Sequence, residues 1–262
     1  MLSSRPLSYD EYFAEASTIL DKALKSGVTL KLIGALAFMK HCPSYVKLAE
    51  KANRPLTDID FVGYSSQRDE VTRLFKSIGY TYDVSTYMET ALLGRLIFTK
   101  KDNPSLHVDV FLDKLQMCHT IEFKDRLAIE KETIPLAEMF LEKMQIVKIA
   151  EKDIKDVLIL LLDHEVGDSD DETINISQIA KILSRDWGFY YTVTQNLQRV
   201  LGYLAGFDVL GERDKEEVRR KIFHILSFVE KTPKSLSWKL RSKVGSKIKW
   251  YEDVEEAVRR SV

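Results

Sequence analysis

Apolar residues recur at helical spacing near the start of the chain, where Tyr12, Phe13, Ala16, Ile19, Leu20, Ala23 and Leu24 follow Ser8-Tyr9-Asp10-Glu11 and stop at Gly27. A serine with glutamate three residues on is a capping box, so this pattern predicts a first helix. The period then shortens. Residues 28–33 read as a strand, Gly34 as a turn and 35–41 as a helix leading into a Pro43-interrupted stretch that ends at Arg54-Pro55. Residues 56–62 alternate as a strand, 66–78 form an amphipathic helix closed by Gly79, and 95–99 and 106–112 read as neighbouring strands joined by the turn Lys101-Asp102-Asn103-Pro104. Residues 127–134 add an edge strand.

From Leu136 the helical period returns. Phe140, Leu141, Met144, Val147, Ile154, Val157, Leu158 and Leu161 predict one long helix to about Asp163. An acidic stretch over 164–173 reads as a linker, and 174–186, 188–205, 212–230, 233–246 and 250–259 read as helices. The expected fold is α+β: a mixed sheet with flanking helices over 1–135, then an all-helical C-terminal domain over 136–262.

Composition narrows this little. The chain has 262 residues, 45% of them hydrophobic, and a net charge of −1, which argues against a protein that coats nucleic acid indiscriminately. The apolar run 157–162 is far too short to span a bilayer, and Met-Leu-Ser-Ser-Arg-Pro is no secretory signal, so a cytoplasmic protein is expected. Cys42 and Cys118 lack the number and spacing of a disulfide framework or zinc knuckle. The segment 231–250 carries seven cations, no acid and Trp238 and Trp250; it reads as a solvated helix with its tryptophans in the core.

The candidate chemistry lies in three aspartates. Asp58 and Asp60 sit in Leu56-Thr57-Asp58-Ile59-Asp60-Phe61-Val62, and Asp109 in Leu106-His107-Val108-Asp109-Val110-Phe111. A strand turns alternate side chains to one face, so Asp58 and Asp60 point together and Asp109 stands alone among valines. Two carboxylates about 4 Å apart repel by roughly 4 kcal/mol at an effective dielectric near 20, so a patch of three takes up protons or binds divalent metal. A salt bridge already occupying that pocket, or Asp109 facing away from the other pair, would leave a folded scaffold without the proposed catalyst.

The order strand, Gly34-Ala35, helix, strand with Asp58-x-Asp60, strand with Asp109 resembles the nucleotidyltransferase superfamily that includes DNA polymerase beta, in particular its small abortive-infection type and antibiotic-modifying members. The resemblance covers about residues 28–160. It extends to Lys143 and the helical Lys152-Asp153-Ile154-Lys155-Asp156. It implies a transferase moving an NMP from an NTP such as ATP to a hydroxyl acceptor, whether RNA, protein or small molecule. Asp58, Asp60 and Asp109 would hold two Mg²⁺ or Mn²⁺ ions, with Asp109 also helping to take the acceptor's proton. Gly34 and Ala35 would offer backbone donors to the phosphates, and Lys143 or Arg54 would neutralise the leaving pyrophosphate. Ala35 stands where the family carries Gly or Ser. That departure keeps an inactive nucleotide-binding or toxin-antitoxin-like module as the alternative, and residues 43–55 read as an inserted loop beside the site. Lys148 and Lys152 read as solvated helix charges, and His107 as an edge histidine facing solvent. A haloacid dehalogenase-type hydrolase, using Asp58-x-Asp60 with Gly167-Asp168 and Asp171, ranks last because Val62 stands where its threonine would be.

Overall fold

A computed structural model of the chain describes residues 7–51, 56–82 and 94–253. The architecture is mixed α+β, with ten α-helices and one five-stranded mixed sheet among the described residues. Helix α1 (Tyr9–Lys25) starts at the expected capping box. The Ser8 hydroxyl accepts from the Glu11 N–H at 3.2 Å, and the Glu11 carboxylate accepts from the Ser8 N–H at 2.8 Å.

Strands β1 (Leu30–Ile33), β2 (Ile59–Gly63), β3 (Tyr80–Tyr82), β4 (Arg95–Lys100) and β5 (His107–Leu112) form the sheet in the order β1-β2-β5-β4-β3. Only the β2–β5 pair is parallel. Both central strands have covered faces: Ile59, Phe61, Val108 and Val110 are fully buried, which is why they read as nearly continuous apolar runs. Helices α2 (Gly34–His41), α3 (Tyr45–Lys51) and α4 (Arg68–Ser77) accompany the sheet, and a small hairpin, β6 (Lys114–Gln116) with β7 (Thr120–Glu122), follows β5. The expected loop over 43–55 is thus largely helical, with Tyr45 in the core; residues 52–55, Arg54 among them, lie outside the described residues.

The long helix expected over 136–163 is two helices, α5 (Leu136–Met144) and α6 (Glu151–Asp163). Side chains of α8 (Trp187–Ala205) hold the carbonyls freed at the break. The Asn196 amide donates to Met144 and Ile146 at 2.9 and 2.8 Å, and Arg199 donates to Val147 at 2.6 Å. Both helices bury apolar residues in the same core, so the apolar pattern runs through the break without a Gly or Pro to mark it.

The remaining helices are α7 (Ile176–Leu183), α9 (Glu212–Lys231) and α10 (Leu236–Val244). This part is not purely helical. Where a linker was expected, β8 (Glu165–Gly167) and β9 (Thr173–Asn175) pair in parallel, because Val166 and Ile174 flank the acidic loop and pack on the core. The edge strand expected over 127–134 shrinks to one bridge, Leu32 with Thr133. Residues 250–253 are not helical, and the rest of the helix expected over 250–259 lies outside the described residues. One continuous cluster of buried apolar side chains runs from Tyr12 to Val229, across the boundary expected at 135. Among the described residues, no helix is long and apolar enough to cross a membrane. Both cysteines are buried and free, and burial pushes the Cys42 thiol far above its usual range.

Candidate metal centre

Register brings the aspartates together. In the parallel β2–β5 pair, Asp60 lies directly opposite Asp109, so their side chains share a face. Asp58 lies just before β2, two residues from Asp60, and its carboxylate joins the same group. One carboxylate oxygen from each of Asp58, Asp60 and Asp109 falls within 4.8 Å of the others. Two ligands of a single Mg²⁺ are at most about 4.2 Å apart, so small side-chain movements suffice to close the three on metal. The donor set is entirely hard oxygen, the chemistry suited to Mg²⁺ or Mn²⁺.

The electrostatics agree with that chemistry. Burial, and then the charges of Asp58 and Asp109, push the Asp60 carboxyl well above the usual carboxylate range, against the opposing pull of Lys143. A cation placed among the three would reverse the balance.

Helix α2 begins against this patch. Gly34 has φ +67°, and a Cβ there would lie 2.6 Å from Asp60 Oδ2. Glycine at 34 is therefore needed both for the left-handed turn and for the space the carboxylate occupies. The Gly34 N–H is not turned to a ligand, however. It donates to both oxygens of buried Glu142 on α5, each at 3.2 Å, so the N–H expected to meet phosphate is engaged within the protein. Ala35 lines the pocket at the start of α2.

Lys143 also lines the pocket. Its ammonium lies 3.5 Å from Glu142, 3.6 Å from Asp153 and 3.4 Å from Asp156, and 5.5 Å over the Phe38 ring. In one straight helix, Lys143 and Asp153 would be separated by about 15 Å along the axis. The α5–α6 break is what lets the lysine meet the Lys-Asp-x-x-Asp segment. Tyr45 fixes Asp156 from the other side, donating to it at 3.0 Å. Burial raises the Glu142 carboxyl, opposed by Lys143 and the Gly34 N–H.

Two further placements differ from expectation or extend it. Arg95, at the start of β4, was not singled out from the sequence, yet it lines the pocket and its Nη2 donates to Asp109 Oδ2 in an ion pair. A salt bridge thus does occupy the pocket at Asp109, one of the two outcomes named above as leaving a scaffold without the catalyst; the other is not met, since Asp109 faces Asp58 and Asp60 and the three acids converge. A charged residue at a strand start has no sequence signature separating it from a solvated one; only the register reveals it. Lys152 is exposed at the pocket rim and Lys148 is exposed, whereas His107 pairs with Thr99 at 3.2 Å and does not line the pocket. In the basic C-terminal segment the tryptophans are half-buried rather than in the core: Trp250 donates to Thr192 at 3.0 Å, and Trp238 packs edge-on to Tyr190. No protein-family model, no curated protein and no solved structure matches the chain.

Proposed function

We propose that the protein is a metal-dependent nucleotidyltransferase of the DNA polymerase beta type, moving an NMP from an NTP to a hydroxyl acceptor. The observation that carries this reading is the convergence of Asp58, Asp60 and Asp109 on one sheet face beside the start of α2. Asp58 and Asp60 would hold one ion and Asp109 would share in a second. Divalent metal, when bound, would supply charge neutralisation on the phosphates and lower the pKa of the acceptor hydroxyl. Asp109, on the strand beside the metal pair, accepts the proton of that hydroxyl as its oxygen bonds the α-phosphorus and the bond to the pyrophosphate breaks. Lys143, held by three carboxylates, faces the site as a fixed positive charge for the leaving group. Acceptor classes to compare are RNA ends, protein hydroxyls and small molecules.

The test is incubation of the protein with labelled NTPs and Mg²⁺ or Mn²⁺ against each acceptor class. Transfer that disappears in Asp60→Asn supports the reading; no transfer and no metal-dependent nucleotide binding overturns it. The Arg95–Asp109 bridge and the engaged Gly34 N–H favour a second reading, a module of the same fold that binds nucleotide without chemistry. Calorimetry separates the two, because the binder takes NTP equally with and without divalent metal and releases no pyrophosphate.

A further inference from the structure

We propose that Arg95 is a built-in counter-cation of the acid patch, holding Asp109 in the metal-free protein and yielding it only when a second divalent ion arrives. The inference rests on the metal reading above and concerns how the site loads. Arg95 lies opposite Phe111 in the β4–β5 ladder, while Ile97 lies opposite Asp109, so the arginine reaches its carboxylate diagonally across one face. Its guanidinium sits 5.2 Å over the Phe111 ring, which keeps it against the pocket wall.

The bonding of this guanidinium is incomplete. Nη2 is engaged with Asp109, but among the described residues Nε is buried without a hydrogen-bond partner. A structural arginine in the same molecule looks different: Arg126 uses Nε, Nη1 and Nη2 together on Glu138 and Asp170. Among the described residues Arg95 is therefore held by one charge-assisted contact, without a second acceptor that would lock it. A metal ion and a guanidinium repel and compete for the same carboxylate. The first ion enters between Asp58 and Asp60; the second has to displace Arg95 from Asp109. Once displaced, the guanidinium stands at the pocket wall beside the bound ions, where a phosphate oxygen would offer the second acceptor that it lacks. Loading of the second ion and arrival of the triphosphate are then linked, each favouring the other.

The experiment is Mn²⁺ titration of the full chain without nucleotide, read by calorimetry and by the electron paramagnetic resonance of the free ion. The wild type is expected to bind one ion tightly and a second more weakly. Arg95→Met is expected to tighten the second site by about tenfold or more, the effect of removing one positive charge a few ångströms from an ion. Arg95→Lys, which keeps the charge and loses the fork, should fall between them. If Arg95→Met leaves the second affinity unchanged or weaker while Asp60→Asn abolishes binding, the role of Arg95 is overturned and the metal site stands. If the wild type and every variant bind no Mn²⁺, both readings fall. Should circular dichroism show that Arg95→Met does not fold, Arg95→Lys carries the test: a tighter second site supports the inference, and an unchanged or weaker one overturns it.

Discussion

Arg126 and Arg95 are both largely covered guanidiniums beside buried carboxylates, yet the networks around them differ in kind. Arg126 joins Glu138 and Asp170 with four hydrogen bonds of 2.6–3.1 Å, and Gln178 and Asn175 add donors to the same carboxylates at 3.0 and 3.1 Å. Against the desolvation that burial brings, the Arg126 hydrogen bonds hold Asp170 below its usual range, so charge is the preferred state. Around Arg95 three acids crowd one face and Asp60 is driven toward the neutral form. Oppositely charged groups that complete one another's hydrogen bonds make structure; like charges crowded at a pocket make a binding site. The same residue types thus pin α5 to the β8–β9 loop in one place and, on the proposed reading, would hold a cation in the other.

The sharpest way to break this contrast is Asp60→Asn. If the patch is a catalytic metal centre, the variant loses nucleotide transfer by about a thousandfold. The metal-free protein should at the same time gain about 1 kcal/mol of stability, since a carboxyl that burial and the neighbouring acids disfavour as a charge is replaced by a neutral amide. Activity assays with urea unfolding in chelator read both effects. A variant that is inactive and less stable would mean that Asp60 is structural.

Arg126→Ala probes the other network. It leaves Glu138, which has no exposed surface, as an uncompensated buried charge, and the expected loss is about 3–5 kcal/mol with unchanged Mn²⁺ affinity. Denaturant unfolding and metal titration on one sample check both halves of that statement. If metal binding falls with stability, the two clusters are coupled and the division drawn between them fails.

His119 extends the contrast to a closed site between the β6–β7 hairpin and α8. It pairs with Thr192 at 2.8 Å and stacks on Phe189 at 4.8 Å, and burial pulls its pKa from 6.5 down to about 4. The unfolded chain takes up the proton first, so this contribution is whole above pH 6.5 and is lost as pH falls through about 4. The full loss amounts to about 3 kcal/mol. Unfolding free energies of the wild type and His119→Phe between these limits should converge as the pH drops; parallel curves would show that His119 protonates freely in the folded protein.

The acid patch was legible because strand alternation is a local rule. Asp58, Asp60 and Asp109 stand out against Ile59, Val108 and Val110, and Gly34 marks the turn before α2. What was not legible depends on distant partners. The α5–α6 break is held by Asn196 and Arg199, about fifty residues on, and nothing between 145 and 150 announces it. The acidic stretch 168–172 reads as solvated until Arg126 claims Asp170. Arg95 looks like any charged strand end until the ladder sets it diagonal to Asp109. Lys143 was picked out, but its contact with Asp153 exists only because of the unpredicted break.

Gly34 offers the finest separation of backbone demand from site chemistry, because Gly27 serves as its control. Both have a left-handed backbone, φ +67° and +68°, but a Cβ at Gly27 meets nothing within 4 Å whereas one at Gly34 lies 2.6 Å from Asp60 Oδ2. Gly27→Ala should therefore cost about 1 kcal/mol, the strain of the conformation alone, with Mn²⁺ binding intact. Gly34→Ala should cost about 2 kcal/mol, because Asp60 has to swing aside as well. Its Mn²⁺ affinity should fall roughly tenfold as that ligand leaves its partners. The difference between the two variants in thermal unfolding and metal titration isolates what the missing Cβ does for Asp60. Equal metal affinities in the two would mean that the carboxylate moves without consequence, and that the close approach of α2 to β2 serves packing rather than the ion.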